Sequence, residues 1–115
     1  MELYHEIRPD AYVLILTGSI DGSNAGELDI AFHKAIKSKR EHILVDGHKL
    51  SYISSAGIGI LLSHLPHLRQ KGIRLTFEGL NANIRQVFQL LGLDNLLTFS
   101  DTSLMAYSAS SGPIG

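Results

Sequence analysis

The chain has 115 residues, 44% of them hydrophobic and 18% charged, with a formal charge of -1, which is the size and composition of one globular domain with its own core. That balance offers no basic surface to a nucleic acid, and the absence of cysteine removes disulfides, thiolate metal sites and a cysteine nucleophile. No window reaches the roughly 20 apolar residues that span a bilayer, and Met1-Glu2-Leu3 does not start like a leader peptide, so a cytoplasmic protein without membrane insertion is expected.

Leu3 to Ile7 alternates weakly, Arg8-Pro9-Asp10 is turn chemistry, and Ala11 to Leu16 is a nearly continuous apolar run. Two strands joined by a tight turn fit, the second buried on both faces. Thr17 to Ser23 reads as a loop. Leu28, Ile30, Ala31, Phe32, Ala35 and Ile36 then recur at helical spacing, with Ser23 or Asn24 as N-cap and Lys37, Lys39 and Arg40 in the last turn. His42 to Asp46 is a short apolar run ending in an acid, as expected of a buried parallel strand that stops at a loop.

From Ala56 the apolar positions Ile58, Leu61, Leu62, Leu65 and Leu68 predict a helix that ends at Lys71-Gly72. Pro66 lies inside it. Because proline removes a helix hydrogen bond, a bend or restart is expected near Ser63 to Leu65. Ile73 to Glu78 alternates like a strand. Ile84, Val87, Phe88, Leu90 and Leu91 follow at helical spacing up to Gly92, then a short strand at Leu96 to Phe99 and a last helix from Asp101 towards Ala109. The fold class is therefore α/β, a mixed sheet with an N-terminal antiparallel hairpin, parallel crossovers and about four helices. One domain over 1–109 and a frayed tail over 110–115 are expected.

In open α/β sheets, ligands meet the loops at the carboxyl ends of strands. Three loops should gather there: Gly18 to Ser23, Asp46 to Ser55 and Glu78 to Asn83. Ser54 and Ser55 stand at a helix start, where unpaired backbone N–H groups and the dipole tolerate a phosphate. Serine is also an ordinary N-cap that needs no function. Gly57 and Gly59 each weaken a helix by about 1 kcal/mol relative to alanine, so close packing or an accessible backbone must repay them.

The run Tyr52-Ile53-Ser54-Ser55-Ala56-Gly57-Ile58-Gly59-Ile60-Leu61 resembles the signature of the STAS family, the sulphate transporter and anti-sigma factor antagonist domain. Thr17-Gly18-Ser19-Ile20-Asp21 is similar to the family's second-strand ending, and the order of elements agrees over about Leu3 to Ala109. The resemblance to the bacterial single-domain antagonists implies a switch without catalysis. Unphosphorylated, such a protein binds an anti-sigma factor that is also a serine kinase; phosphorylation breaks the complex, and a metal-dependent serine phosphatase resets it. Ser55 falls on the phosphorylated position, with Ser54 the second choice. Asp21 and Asp46 are its implied acidic neighbours. The implied partner face is Asp21, Gly22, Ser23, Asp46, His48, Ser54, Ser55 and Gly57. Ser54 departs from the best-known antagonists, which carry aspartate there, and Gly47-His48-Lys49 is more basic than usual.

Other readings are bland. His64 and His67 lie three apart on one helix, but no third ligand stands nearby in sequence and Pro66 interrupts the register, so surface histidines and no metal are expected. A hydrolase using Ser55 with His48 and Asp46 or Asp21 lacks the leading glycine of the nucleophile elbow, which is Ile53 here. Gly18 to Gly22 lacks the lysine of a phosphate-binding loop, so no cofactor is expected. A STAS subunit of a lipid or anion transporter, or of a stress-sensing assembly, is the alternative within binding proteins.

Overall fold

The structure, a computed structural model, describes residues 1–100; the expected last helix and tail lie outside the described residues. β1 (Glu2–Ile7) and β2 (Ala11–Ile20) form the antiparallel hairpin, followed by α1 (Ala25–Lys37), β3 (His42–Ile53), α2 (Ser55–Lys71), β4 (Arg74–Glu78), α3 (Ala82–Leu90), a 3-10 turn (Leu93–Asn95) and β5 (Thr98–Ser100). The five strands lie in the order β1-β2-β3-β4-β5, antiparallel in the first pair and parallel in the rest. This is the mixed α/β sheet expected from the sequence.

One face of the sheet carries the main core. Tyr12, Leu14 and Leu16 of β2, Ile43 and Val45 of β3 and Leu75 and Phe77 of β4 pack in a single cluster with Leu28 and Phe32 of α1, Leu61 and Leu68 of α2, and Ile84 and Phe88 of α3. Successive strands added in one direction by crossovers of one hand put all three helices on that side. The alternate residues Ala11, Val13 and Leu44 make a smaller cluster on the other face. Leu62, one of the apolar positions that predict α2, is 39% exposed, because the buried stripe of α2 runs through Ile58, Leu61, Leu65 and Leu68.

Two strands are longer than their apolar runs. β2 continues through Thr17-Gly18-Ser19 to a fully buried Ile20, and β3 continues past Asp46 to Ile53. The expected loops there are strand because each half supplies the other's partner: Thr17 pairs with Lys49, Gly18 with Leu50, Ser19 with Tyr52 and Ile20 with Ile53. Register shifts between Ile15 and Thr17 and between Gly18 and Ser19 accommodate extra β3 residues as bulges, and Gly18 takes φ +83. β4, by contrast, stops where Glu78 meets Asp46. Its residues Leu75 to Glu78 are all buried, so its sequence alternation does not mark an exposed face. Pro66 neither stops nor restarts α2, which runs unbroken to Gly72. Pro66 sits on the exposed side, while Leu61, Leu65 and Leu68 hold the opposite stripe on the core. Gly72 ends the helix in the left-handed region at φ +68, and the Ile73 N–H returns to the Leu68 carbonyl at 2.9 Å, the glycine stop read from the sequence.

Candidate functional site

The paired ends of β2 and β3 build the site. Ile20 and Ile53 are the last partners, and the Ser54 N–H donates to the Ile20 carbonyl at 2.8 Å. The two chains then diverge, one into the Asp21–Asn24 turn and α1, the other into α2. Their helix starts therefore stand side by side.

The turn is closed by its own side chains. Asp21 Oδ1 accepts from the Ser23 N–H at 2.9 Å and from the Ser23 hydroxyl at 2.6 Å, while the Asp21 N–H donates to Asn24 Oδ1 at 2.9 Å and Asn24 Nδ2 donates to the Ser19 carbonyl at 3.0 Å. These are Asx-type bonds, in which a short polar side chain completes what the backbone cannot. The Ser23 hydroxyl and then the Ser23 amide hold the exposed Asp21 carboxyl below its ordinary value, so it stays ionised. Asn24 precedes α1 but makes no side-chain cap bond to it; both ends of its amide are committed to the turn. Asn24, an expected N-cap by residue type, closes the turn instead.

Ser54 and Ser55 are unlike each other. Ser54 is the N-cap of α2, with extended backbone (φ -86, ψ 174) and no side-chain cap bond; its hydroxyl oxygen is buried and has no hydrogen-bond partner. Ser55 is the first helical residue and is exposed. An incoming group therefore reaches Ser55 and not Ser54. The first turn of α2 holds no acid, and its free N–H groups favour an anion.

Asp21, Gly22, Ser23 and Ser55 are all exposed where the two chains leave the sheet, whereas the Ser54 hydroxyl is buried. Gly57 is buried. A Cβ there would stand 2.7 Å from Ile53 Cγ1 and 2.8 Å from Ile20 Cγ2, whereas one at Gly59 would meet nothing within 4 Å. Gly57 thus belongs to the seam between α2 and the strand ends and is no surface contact.

Asp46 and His48 are not neighbours of Ser55. Because β3 runs on from Asp46 to Ile53, on the order of 20 Å of strand separates them. Asp46 instead pairs with His48, whose Nδ1 lies 2.7 Å and backbone N–H 3.0 Å from Asp46 Oδ1. With Tyr4, Ile15, Thr17 and Lys49 they line a separate surface cavity of about 390 Å³. The Asp46–His48 half of the imagined triad exists, and Ser55 does not join it. The loop after β4 likewise sits at the level of Asp46, its Gly79 (φ +73) pressed against the His48 ring and its Asn81 Nδ2 reaching the Leu50 carbonyl at 3.3 Å.

His64 overturns the expectation of surface histidines. It is 3% exposed, stacks on Phe32 and donates from Nε2 to Asp29 Oδ1 at 2.7 Å. Asp29, His33 and His64 each bring one potential ligand atom within 4.8 Å of the others, a grouping that linear spacing on α2 alone does not disclose. The signal was present as Asp29 and His33 four apart on α1, one face of a helix. Among the described residues no helix is long and apolar enough to cross a membrane.

Comparison with known proteins agrees with this architecture. The chain is 25% identical over 109 residues to the anti-sigma F factor antagonist of Paenibacillus polymyxa, covering 92% of this chain and 93% of that protein. Its fold is similar to an anti-sigma factor antagonist from Mycobacterium paratuberculosis (TM-score 0.77, 21% identity, 94% of this chain and 92% of that one). It is also similar to the Bacillus cell fate determinant SpoIIAA in its phosphorylated form (TM-score 0.71, 22% identity, 93% and 97%). Residues 5–98 match the family model described as Mlab, STAS domain, and the chain belongs to that family.

Proposed function

We propose that this chain is an anti-sigma factor antagonist, a phosphorylation-controlled binding switch with no catalysis of its own, acting in the cytoplasm. The observation that carries the reading is Ser55, an exposed hydroxyl at the first position of α2 beside the Asp21 turn. Relatives named as antagonists of anti-sigma factors, and a solved phosphorylated form of one protein with this fold, support it.

In this reading the surface of Asp21, Gly22, Ser23 and Ser55 receives an anti-sigma factor serine kinase while Ser55 is free. Phosphate on Ser55 adds about -1.5 to -2 charges. The α2 N–H groups stabilise that anion within the chain, so the fold is kept. The added charge stands next to an ionised Asp21 and has to be desolvated against the partner, which opposes the complex. A metal-dependent serine phosphatase restores the binding state. Asp46 and His48 take no part in this electrostatic step, because they lie at the other level of the sheet.

Calorimetry against a cognate kinase tests the switch: Ser55→Ala binds like wild type and Ser55→Asp binds at least about tenfold more weakly. Equal affinity of Ser55→Asp and wild type refutes it. Mass spectrometry after incubation with kinase and ATP places the phosphate on Ser55, and a phosphate on Ser54 alone contradicts the assignment.

A second reading rests on Ser54. The best-known antagonists that the sequence resembles carry aspartate there, and serine in its place leaves room for a reading without a kinase, a STAS subunit of a lipid or anion transporter. Co-purification with a membrane ATPase and no phosphate at Ser55 is the outcome that favours it.

A further inference from the structure

We propose that Asp29, His33 and His64 form a divalent transition-metal site, suited to zinc, where α1 and α2 meet. The site is separate from the proposed switch: α2 rises about 1.5 Å per residue, so His64 lies roughly 13 Å along the helix from Ser55. Its success or failure is independent of Ser55 phosphorylation.

The donors converge from two elements. Asp29 and His33 occupy one face of α1 a turn apart, and His64 meets them from α2 with Nε2 2.7 Å from Asp29 Oδ1. One ligand atom from each of the three lies within 4.8 Å of the others. A tetrahedral zinc with bonds of about 2.0–2.1 Å needs donors a little over 3 Å apart, so the Asp29–His64 pair has to widen slightly and any donor still near 4.8 Å has to move in by about an ångström. The freedom for that is on α1. His33 is exposed and the Asp29 side chain is 41% exposed, whereas the His64 side chain is 4% exposed and held by its stack on Phe32 at 5.4 Å. A rigid ligand from one helix and two adjustable ligands from the other suit capture of an ion.

The chemistry selects the ion. Two imidazoles and one carboxylate suit zinc, cobalt or nickel, and an all-oxygen shell for calcium or magnesium is not available here. An open side exists as well: a cavity of about 380 Å³ is lined by His33, His64 and His67. His67, three residues after His64, lines the same cavity outside the group of three, so water fills the fourth position. Lys37, Lys39 and Lys71 line the same cavity, which makes a small anion a further fourth ligand. A purely structural Asp29–His64 hydrogen bond joining the helices accounts for those two residues. It leaves unexplained the His33 ring, set edge-on to His64 at 4.9 Å between centroids.

The test uses the full chain without a histidine tag. Isothermal titration with zinc chloride gives one ion per chain, cobalt chloride gives the visible bands of tetrahedral Co²⁺, and zinc displaces them. Zinc also raises the melting temperature, since an ion that binds only the folded chain stabilises it. His33→Ala, at an exposed position, keeps the fold and weakens binding at least about tenfold, and Asp29→Asn does the same. His48→Ala binds zinc like wild type. The proposal is overturned if wild type shows no stoichiometric zinc, if neither His33→Ala nor Asp29→Asn changes the affinity, or if His48→Ala abolishes it.

Discussion

At the scale of single residues, the two glycines of α2 separate by what surrounds them. A methyl at position 57 overlaps Ile53 and Ile20, and a methyl at 59 meets open space. Gly57→Ala sets an overpacking cost of about 1–3 kcal/mol against a helix gain of about 1 kcal/mol, so a net loss of about 1 kcal/mol is expected. Gly59→Ala carries only the gain and is stabilising by about 0.5–1 kcal/mol. Urea denaturation of the pair measures both, and an equal response from the two variants contradicts the packing account. The local sequence marks both glycines as costly and does not divide them, because the dividing atoms of Ile53 and Ile20 are brought over Gly57 by the pairing of the β2 and β3 ends. Asp21 offers a second residue-scale measurement. Its carboxyl lies below its ordinary value chiefly through the Ser23 hydroxyl, so Ser23→Ala raises the Asp21 pKa in an NMR titration. The sign for folding follows. The stabilisation from ionised Asp21 is complete above the unfolded value and is lost as pH falls through the lower folded value.

At the scale of elements, β3 and β4 are linked across the sheet by His42 Nε2 and Thr76 Oγ1 at 2.8 Å. Burial, with the nearby Arg74 charge second, keeps the His42 pKa below the ordinary 6.5. The unfolded chain therefore takes up the proton first. Stability contributed by neutral His42 is complete above the unfolded value and falls as pH drops through the window between 6.5 and the lower folded value. Denaturation midpoints measured from about pH 7.5 to about pH 5 decline in wild type, and His42→Gln flattens that part of the profile. The β4–β5 edge of the sheet has an aromatic lock: Phe88 of α3 packs edge-on against Phe77 of β4 at 5.7 Å and against Phe99 of β5 at 5.8 Å, and it is 1% exposed. Phe88→Ala leaves a cavity in the main core and costs about 3–5 kcal/mol, read as a lowered denaturation midpoint with an unchanged slope.

At the scale of the whole molecule, the sheet grows strand by strand in one direction, so every helix covers the same face and the starts of α1 and α2 meet at the paired ends of β2 and β3. That arrangement places α1 and α2 next to each other along their length. It makes one end the proposed switch surface and the middle of the seam a meeting place for polar side chains. The same layout predicts graded protection. Amide exchange is slowest in β2 and in the His42 to Asp46 half of β3, which have a strand on each side, and faster in β1 at the sheet edge. Uniform exchange across the strands contradicts it.

The order of strands and helices, the glycine stops at Gly72 and Gly92 and the hairpin at the amino end were legible in the sequence, because each depends on local periodicity and on turn residues acting within a few positions. The serine pair was legible too, as a motif at a helix start. Only the tertiary structure decided that Asp46 is a mid-strand residue, that Gly57 is a packing residue, that Ser54 turns inward while Ser55 faces out, and that His64 is buried against Asp29. Each of these rests on pairing or packing between segments distant in the chain: β2 drawing β3 onward to Ile53, and α1 lying against α2. Such contacts leave no period in a linear sequence, since the residue that determines the outcome belongs to another element.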